Sequence, residues 1–248
     1  LCESLSNWGR WGENDQKGTV NFITSETRVS AARLVQTGTS VSMAHEVLDE
    51  PAADNFSPYD HRMTSIGSSP GPWSGDFIGV SYHGYAHSHL DALCHRFQFG
   101  TMYNGYSEDE VTEAGCGQLA ITAFKEGVFG RGIVMDFPRL RGVDWLENGT
   151  PITSDWLEEW EVANNIKIGS GDIVLIRTGR WMRRATLGPW NLAADSAGLH
   201  ASSVSWFKDR EVLDYHINLY KELMTKTLDA RIVETWNLSH CATRFTHY

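Results

Sequence analysis

The chain has 248 residues, 41% of them hydrophobic, with 23 Gly against 7 Pro, so it holds enough apolar material for one large core and is too turn-rich for a helical bundle. A formal net charge of −10 speaks against nucleic acid or an anionic membrane as the main partner, since both demand basic patches. Cys2, Cys94, Cys116 and Cys241 form no CxxC pair, so a disulfide framework and a thiolate zinc site are set aside, and reduced thiols in a cytoplasmic protein are expected.

Residues 7–25 are polar and rich in turn formers. A helix is predicted over Ser25 to Gln36, with Ser25 as N-cap and Gly38 just past its end. Thr39 to His45 alternates as a strand does, and residues 49–75 read as a long loop of the kind that often forms a lid or binding loop. Phe77 to Tyr82 reads as a strand leading into a histidine-rich segment. Gly132 to Phe137 and Asp172 to Arg177 are short apolar runs of buried-strand type. Between them Thr153 to Asn164 reads as a helix, capped by Thr153 or Ser154, with Trp156, Leu157 and Trp160 on one face. Leu199 to Lys208 and Asp214 to Thr225 are further predicted helices. No run approaches the ~20 apolar residues that span a bilayer, and no secretory signal pattern opens the chain. Because it begins at Leu1 rather than Met, a removed N-terminal piece is expected. The loose alternation of strands and helices predicts an α/β fold in a single domain over residues 1–248.

The segment 81–95 reads S-Y-H-G-Y-A-H-S-H-L-D-A-L-C-H and holds four of the ten histidines. In a strand, side chains repeat on one face every second residue. His87, His89 and Asp91 then project together, joined by His83 and Tyr85 if the strand extends back that far. Two imidazoles and a carboxylate converging from one strand make a chelate for Zn²⁺ or Mn²⁺. A helical turn after Asp91 returns His95 to the same side, where an imidazole is placed to move protons. Asp136 and Arg177 are candidates for substrate binding, but structural ion pairing is the expected role of each.

H-S-H-L-D-A-L-C-H resembles the signature H-x-G-T-H-x-D-x-x-x-H of the cyclase/kynurenine-formamidase superfamily of metal-dependent hydrolases. His89, Asp91 and His95 fall on its second His, its Asp and its last His. The signature's first His falls on Tyr85 and its Gly-Thr on His87-Ser88, a pattern closer to the isatin hydrolase-like branch with one metal. W-G-E-N-D-Q-K-G-T-V-N-F-I-T, F-G-R-G-I-V-M-D-F, I-T-S-D-W-L and K-I-G-S-G-D-I-V-L-I-R-T-G resemble other family segments, in the family's order.

The resemblance implies a swivelling β/β/α fold, with a mixed sheet and flanking helices, assembled as a homodimer or larger homo-oligomer. It implies a divalent metal, Zn or Mn, held by His89 and Asp91, with His83 or His87 supplying the missing ligand. His216 and Glu234 match the late helix and acidic positions that complete the family's site. Arg210-Glu211-Val212-Leu213 runs directly into Asp214-Tyr215-His216, where the family places a strand, so a missing stretch is expected between Leu213 and Asp214. The implied reaction is opening of an amide, formamide, lactam or lactone bond of a small aromatic substrate. The metal polarises the carbonyl and acidifies a water, and His95 takes that water's proton and returns it to the leaving group. Trp73, Tyr85 and Phe97 are the expected aromatic walls, and His83 and His87 the expected polar substrate contacts where they are not ligands. The alternatives are a metal-dependent cyclase or dehydratase using the same residues, and a non-catalytic metal- or ligand-binding protein on the same scaffold.

Overall fold

The structure is a computed structural model describing residues 5–42, 45–81, 83–97 and 99–212, together with the backbone of a strand at Thr243–Arg244. Its strands are β1 (His45–Glu46), β2 (Asp60–Ser65), β3 (Gly75–Gly79), β4 (Val111–Thr112), β5 (Gly115–Cys116), β6 (Gly132–Asp136), β7 (Pro151–Ile152), β8 (Ile173–Arg177), β9 (Gly198–Leu199) and β10 (Thr243–Arg244). Its helices are α1 (Ser25–Ala32), α2 (Phe137–Arg141), α3 (Ser154–Asn164), α4 (Arg180–Leu187) and α5 (Ser203–Asp209). The architecture is mixed α/β, and the strands pair two by two, β6 with β8, β7 with β9 and β1 with β10 in parallel, β2 with β3 and β4 with β5 antiparallel.

The main core forms around β6 and β8, whose parallel register runs from Gly132 opposite Ile173 to Asp136 opposite Arg177. Ile133 and Met135 of β6 point inward while Val134 between them is half exposed, as period-two alternation requires. Asp136 ends β6 and turns the chain into α2, its carboxylate accepting the amide of Arg139, and Pro138 occupies the first turn, where no amide donor is needed. The same carboxylate accepts from Arg177 at 2.7 Å, so each of the two residues finds its structural ion partner in the other, across the two strand ends. Helix α3 buries Leu157 and Trp160 against this pair, while Arg141 stacks over Trp156 at 3.9 Å. Inside the same core Glu161 is nearly inaccessible. Burial alone would raise its pKa, but Arg210 at 2.9 Å and the Ile168 amide at 2.8 Å outweigh burial and lower it.

A second core of Leu93, Cys94, Met102, Tyr103, Leu119 and Phe124 underlies the histidine segment. The turn-rich N-terminal stretch fastens onto it. Asp15 accepts from the Tyr103 hydroxyl at 2.9 Å, the Asn104 side chain donates to the carbonyls of Gly12 and Glu13, and Gln16 accepts the Leu119 amide at 2.8 Å. The polar residues of W-G-E-N-D-Q-K-G therefore serve as a latch.

Several expectations shift. Helix α1 is capped by Thr24 and ends at Ala32, short of Gln36, because Leu34 and Val35 beyond it stand 57% and 69% exposed with no core to bury them. Residues 39–42 form no strand, and β1 begins at His45. The predicted loop 49–75 contains β2, which pairs with β3. The helix expected over Leu199 to Lys208 starts only at Ser203, because Gly198 and Leu199 pair with β7. The predicted helix at Asp214 to Thr225 and the Leu213–Asp214 junction lie outside the described residues.

Candidate metal centre

The histidine segment is not the strand its spacing predicts. Residues 83–87 are a run of bends and 88–92 have no regular structure, before a 3₁₀ turn at Leu93–His95. The convergence comes from the bends instead of alternation. Leu93 and Cys94 anchor the turn in the second core, and the Cys94 amide donates to the Leu119 carbonyl at 3.2 Å. This fixes Asp91 and His95 on either side of a buried pivot.

Asp91 is the centre of the arrangement. Its side chain is 1% exposed, and three imidazoles approach it: His83 Nδ1 at 3.0 Å and His89 Nε2 at 3.4 Å from Oδ1, and His95 Nε2 at 4.0 Å from Oδ2. None of these contacts has the directionality of a full hydrogen bond, and no Lys or Arg among the described residues pairs with this carboxylate. A buried carboxylate without a cation is costly. Nitrogen and oxygen donors from His83, Asp91 and His95 lie within 4.8 Å of one another, a donor set suited to a borderline divalent ion. The residues therefore fit a metal.

The histidines differ in setting. His89 is mostly buried, with Nδ1 2.9 Å from the His87 carbonyl, and the Asp91 carboxylate beside it raises its pKa. His83 is 61% exposed and lies face to face with His95, the centroids 4.0 Å apart and the planes 1° from parallel. His87 is buried and faces the backbone of Ser57, and burial lowers its pKa. Of the two histidines left open by the sequence, the structure brings His83 to Asp91.

A cavity of about 720 Å³ opens over the cluster. His83, His89, Asp91 and His95 line it together with Phe97 and apolar residues, among them Leu90, Val111 and Ile121. Trp73 is 65% exposed near the β2–β3 turn and is not part of this lining, nor is Tyr85. His216 and Glu234 lie outside the described residues. Residues 111–121 were not singled out in the sequence, and no local motif marks them. One correction concerns the cysteines. Cys94 and Cys116 form a disulfide, Cα to Cα 6.5 Å, joining the turn that carries His95 to β5. The reduced-thiol reading fails because pairing follows spatial approach across 22 residues of sequence, which no spacing rule exposes. A Cys94–Cys116 disulfide leaves free thiols no longer pointing to the cytoplasm.

The sequence profile of the cyclase family, described as "Putative cyclase", matches residues 42–217, well over half of the chain. The chain belongs to the cyclase family. The histidine cluster of this family member lies wholly within the matched span. A crystal structure of a protein described as a novel cyclase is 31% identical, with a TM-score of 0.75 over 86% of this chain and 74% of the other. No protein of curated function matches the chain significantly. Among the described residues of this cyclase-family chain, no helix is long and apolar enough to cross a membrane.

Proposed function

We propose that the protein is a metal-dependent hydrolase that opens an amide, formamide, lactam or lactone bond of a small, uncharged, aromatic or apolar substrate. The observation that carries this reading is the buried Asp91 carboxylate, ringed by imidazoles and lacking a cationic side chain, at the mouth of an apolar cavity. Asp91, His89 and His83 would hold the ion, Zn or Mn. When bound, such an ion supplies a Lewis acid for a carbonyl oxygen and makes water more acidic.

The chain's own residues supply the rest. His95 stacks face to face on His83 with its Nε2 4.0 Å from Asp91, and it falls on the signature's last His, the one that moves protons. It accepts the proton of the attacking water and returns it to the leaving nitrogen or oxygen, so that the acyl carbon gains one oxygen and the leaving group one proton. Asp91 keeps His95 near its task electrostatically. Phe97, Val111 and Ile121 bury the ring of the substrate and exclude bulk water. No Lys or Arg lines the cavity among the described residues, which favours an uncharged substrate over an anionic one. The signature pattern supports the isatin hydrolase-like branch and its swivelling β/β/α fold, acting as a homodimer or larger homo-oligomer.

The test is turnover of N-formyl anilines, isatin-like lactams and lactones by Mn²⁺- or Zn²⁺-loaded protein in ¹⁸O-labelled water. Label in the product carboxylate is expected. Metal-dependent turnover without label would overturn hydrolysis in favour of a dehydratase or cyclase.

A further inference from the structure

Helix α4 opens with Arg180, a cation at a helix N-terminus, where the macrodipole disfavours positive charge. Its side chain is also 8% exposed, and burial pushes its pKa down to about 10, so it remains charged at neutral pH in a place that costs free energy. The contacts explain the placement. One guanidinium nitrogen donates to the carbonyl oxygen of Tyr85, and another donates to Asp54 Oδ2 at 3.2 Å. Arg184, one turn on, grips both oxygens of the same fully buried carboxylate at 2.7 and 3.1 Å. Asp54 is itself in a stiff loop, since the side chain of neighbouring Asn55 donates to the carbonyls of Leu48 and Glu50. Two arginines against one carboxylate leave a positive surplus, and Arg180 directs it onto the Tyr85 carbonyl.

Tyr85 lies midway along the bends 83–87, a stretch with no ladder to hold it, two residues from His83. The start of α4 is equally constrained: Gly179 has φ +81°, and a Cβ there would lie 2.6 Å from the Asp144 carbonyl oxygen, so only glycine lets the helix begin at this spot. The clamp is therefore built on fixed parts at both ends. Resting on the reading that His83, His89 and Asp91 hold a divalent ion, we infer that Arg180, braced by Asp54 and Arg184, is a positioning residue that sets the bend delivering His83 to Asp91.

The experiment is calorimetric titration of the metal-free protein with Mn²⁺, alongside its thermal midpoint, for wild type, Arg180→Met, Arg180→Lys and Arg184→Met. Arg141→Met, which breaks a solvent-exposed pair with Glu159, serves as the control for simple loss of an arginine. Arg180→Met should weaken Mn²⁺ binding about 10–100-fold, the usual effect of removing an outer partner of a metal site. Arg180→Lys should recover part of that loss, and Arg184→Met, which leaves Arg180 in place, should fall between wild type and Arg180→Met. Should Arg180→Met fail to fold, Arg180→Lys and Arg184→Met carry the comparison. Variants that lower the thermal midpoint as Arg141→Met does, with wild-type Mn²⁺ affinity, would reduce Arg180 to a structural ion pair and overturn the inference alone. A wild-type protein that binds no Mn²⁺ would overturn the underlying metal reading with it.

Discussion

Replacing Asp91 by Asn separates a metal site from an ordinary His–Asp cluster, because the two predict opposite signs. Asn keeps the shape and removes the charge. In the metal-free protein the Asp91 side chain is 1% exposed and has no Lys or Arg partner among the described residues. Removing an uncompensated buried group relieves a penalty of about 1–3 kcal/mol, so metal-free Asp91→Asn should be more stable than metal-free wild type. At roughly 2–4 °C per kcal/mol for a chain of this size, that is a rise of about 2–12 °C in thermal midpoint. Mn²⁺ at a hundred times its dissociation constant should then stabilise wild type by about 2.7 kcal/mol, or roughly 5–11 °C, and the variant hardly at all. Thermal melts with chelator and with Mn²⁺ should show the order of the two proteins narrowing or reversing. A variant less stable than wild type in chelator, with the same Mn²⁺ shift as wild type, would refute the reasoning and make Asp91 a structural partner of its histidines.

His95→Ala should lower kcat by about 10²–10⁴, the worth of a positioned acid–base group, while metal content measured by mass spectrometry stays near wild type; metal lost in step with activity would reassign His95 as a ligand. Replacing Cys116 by Ser opens a loop of 22-residue separation and should cost roughly 3 kcal/mol, read as a lower denaturant midpoint under non-reducing conditions. Glu161 has a folded pKa below its unfolded value, so its contribution is complete above about pH 4.3 and is lost as pH falls through the folded pKa. Glu161→Gln should accordingly flatten the acid limb of the stability profile and leave the ratio of stabilities at neutral and mildly alkaline pH unchanged. Leu157→Ala, at a fully buried position of α3, should cost about 2–5 kcal/mol in equilibrium unfolding.

What the sequence made legible follows from how local each cause is. Strands β6 and β8 and helix α3 are written in continuous apolar runs and a Thr153 boundary, so their positions emerge within a residue or so. Strand β2 reads D-H-R-M-T-S, polar enough to pass for loop, and it is held by its partner β3 instead of its own composition. Helix α4 is invisible as an apolar stripe because Arg180, Arg183 and Arg184 carry much of its inward-facing work. In the centre itself, the dense His and Asp spacing marked the place, but the assumed strand phase did not form. The choice between His83 and His87 depends on bends braced from α4, about a hundred residues later, and no local spacing encodes that. The pairing of Cys94 with Cys116 is hidden for the same reason.

The N-terminal latch has a consequence for how the molecule is made and cut. Asp15, Gln16 and the carbonyls of Gly12 and Glu13 meet partners some 90 to 100 residues downstream, at Tyr103, Asn104 and Leu119. During synthesis these groups wait, solvated, until the middle of the chain has emerged, and closing so long a loop comes late in folding. Leu119 in turn holds the turn that carries His95. Removing residues 7–16 would therefore take out the floor beneath an imidazole eighty positions away.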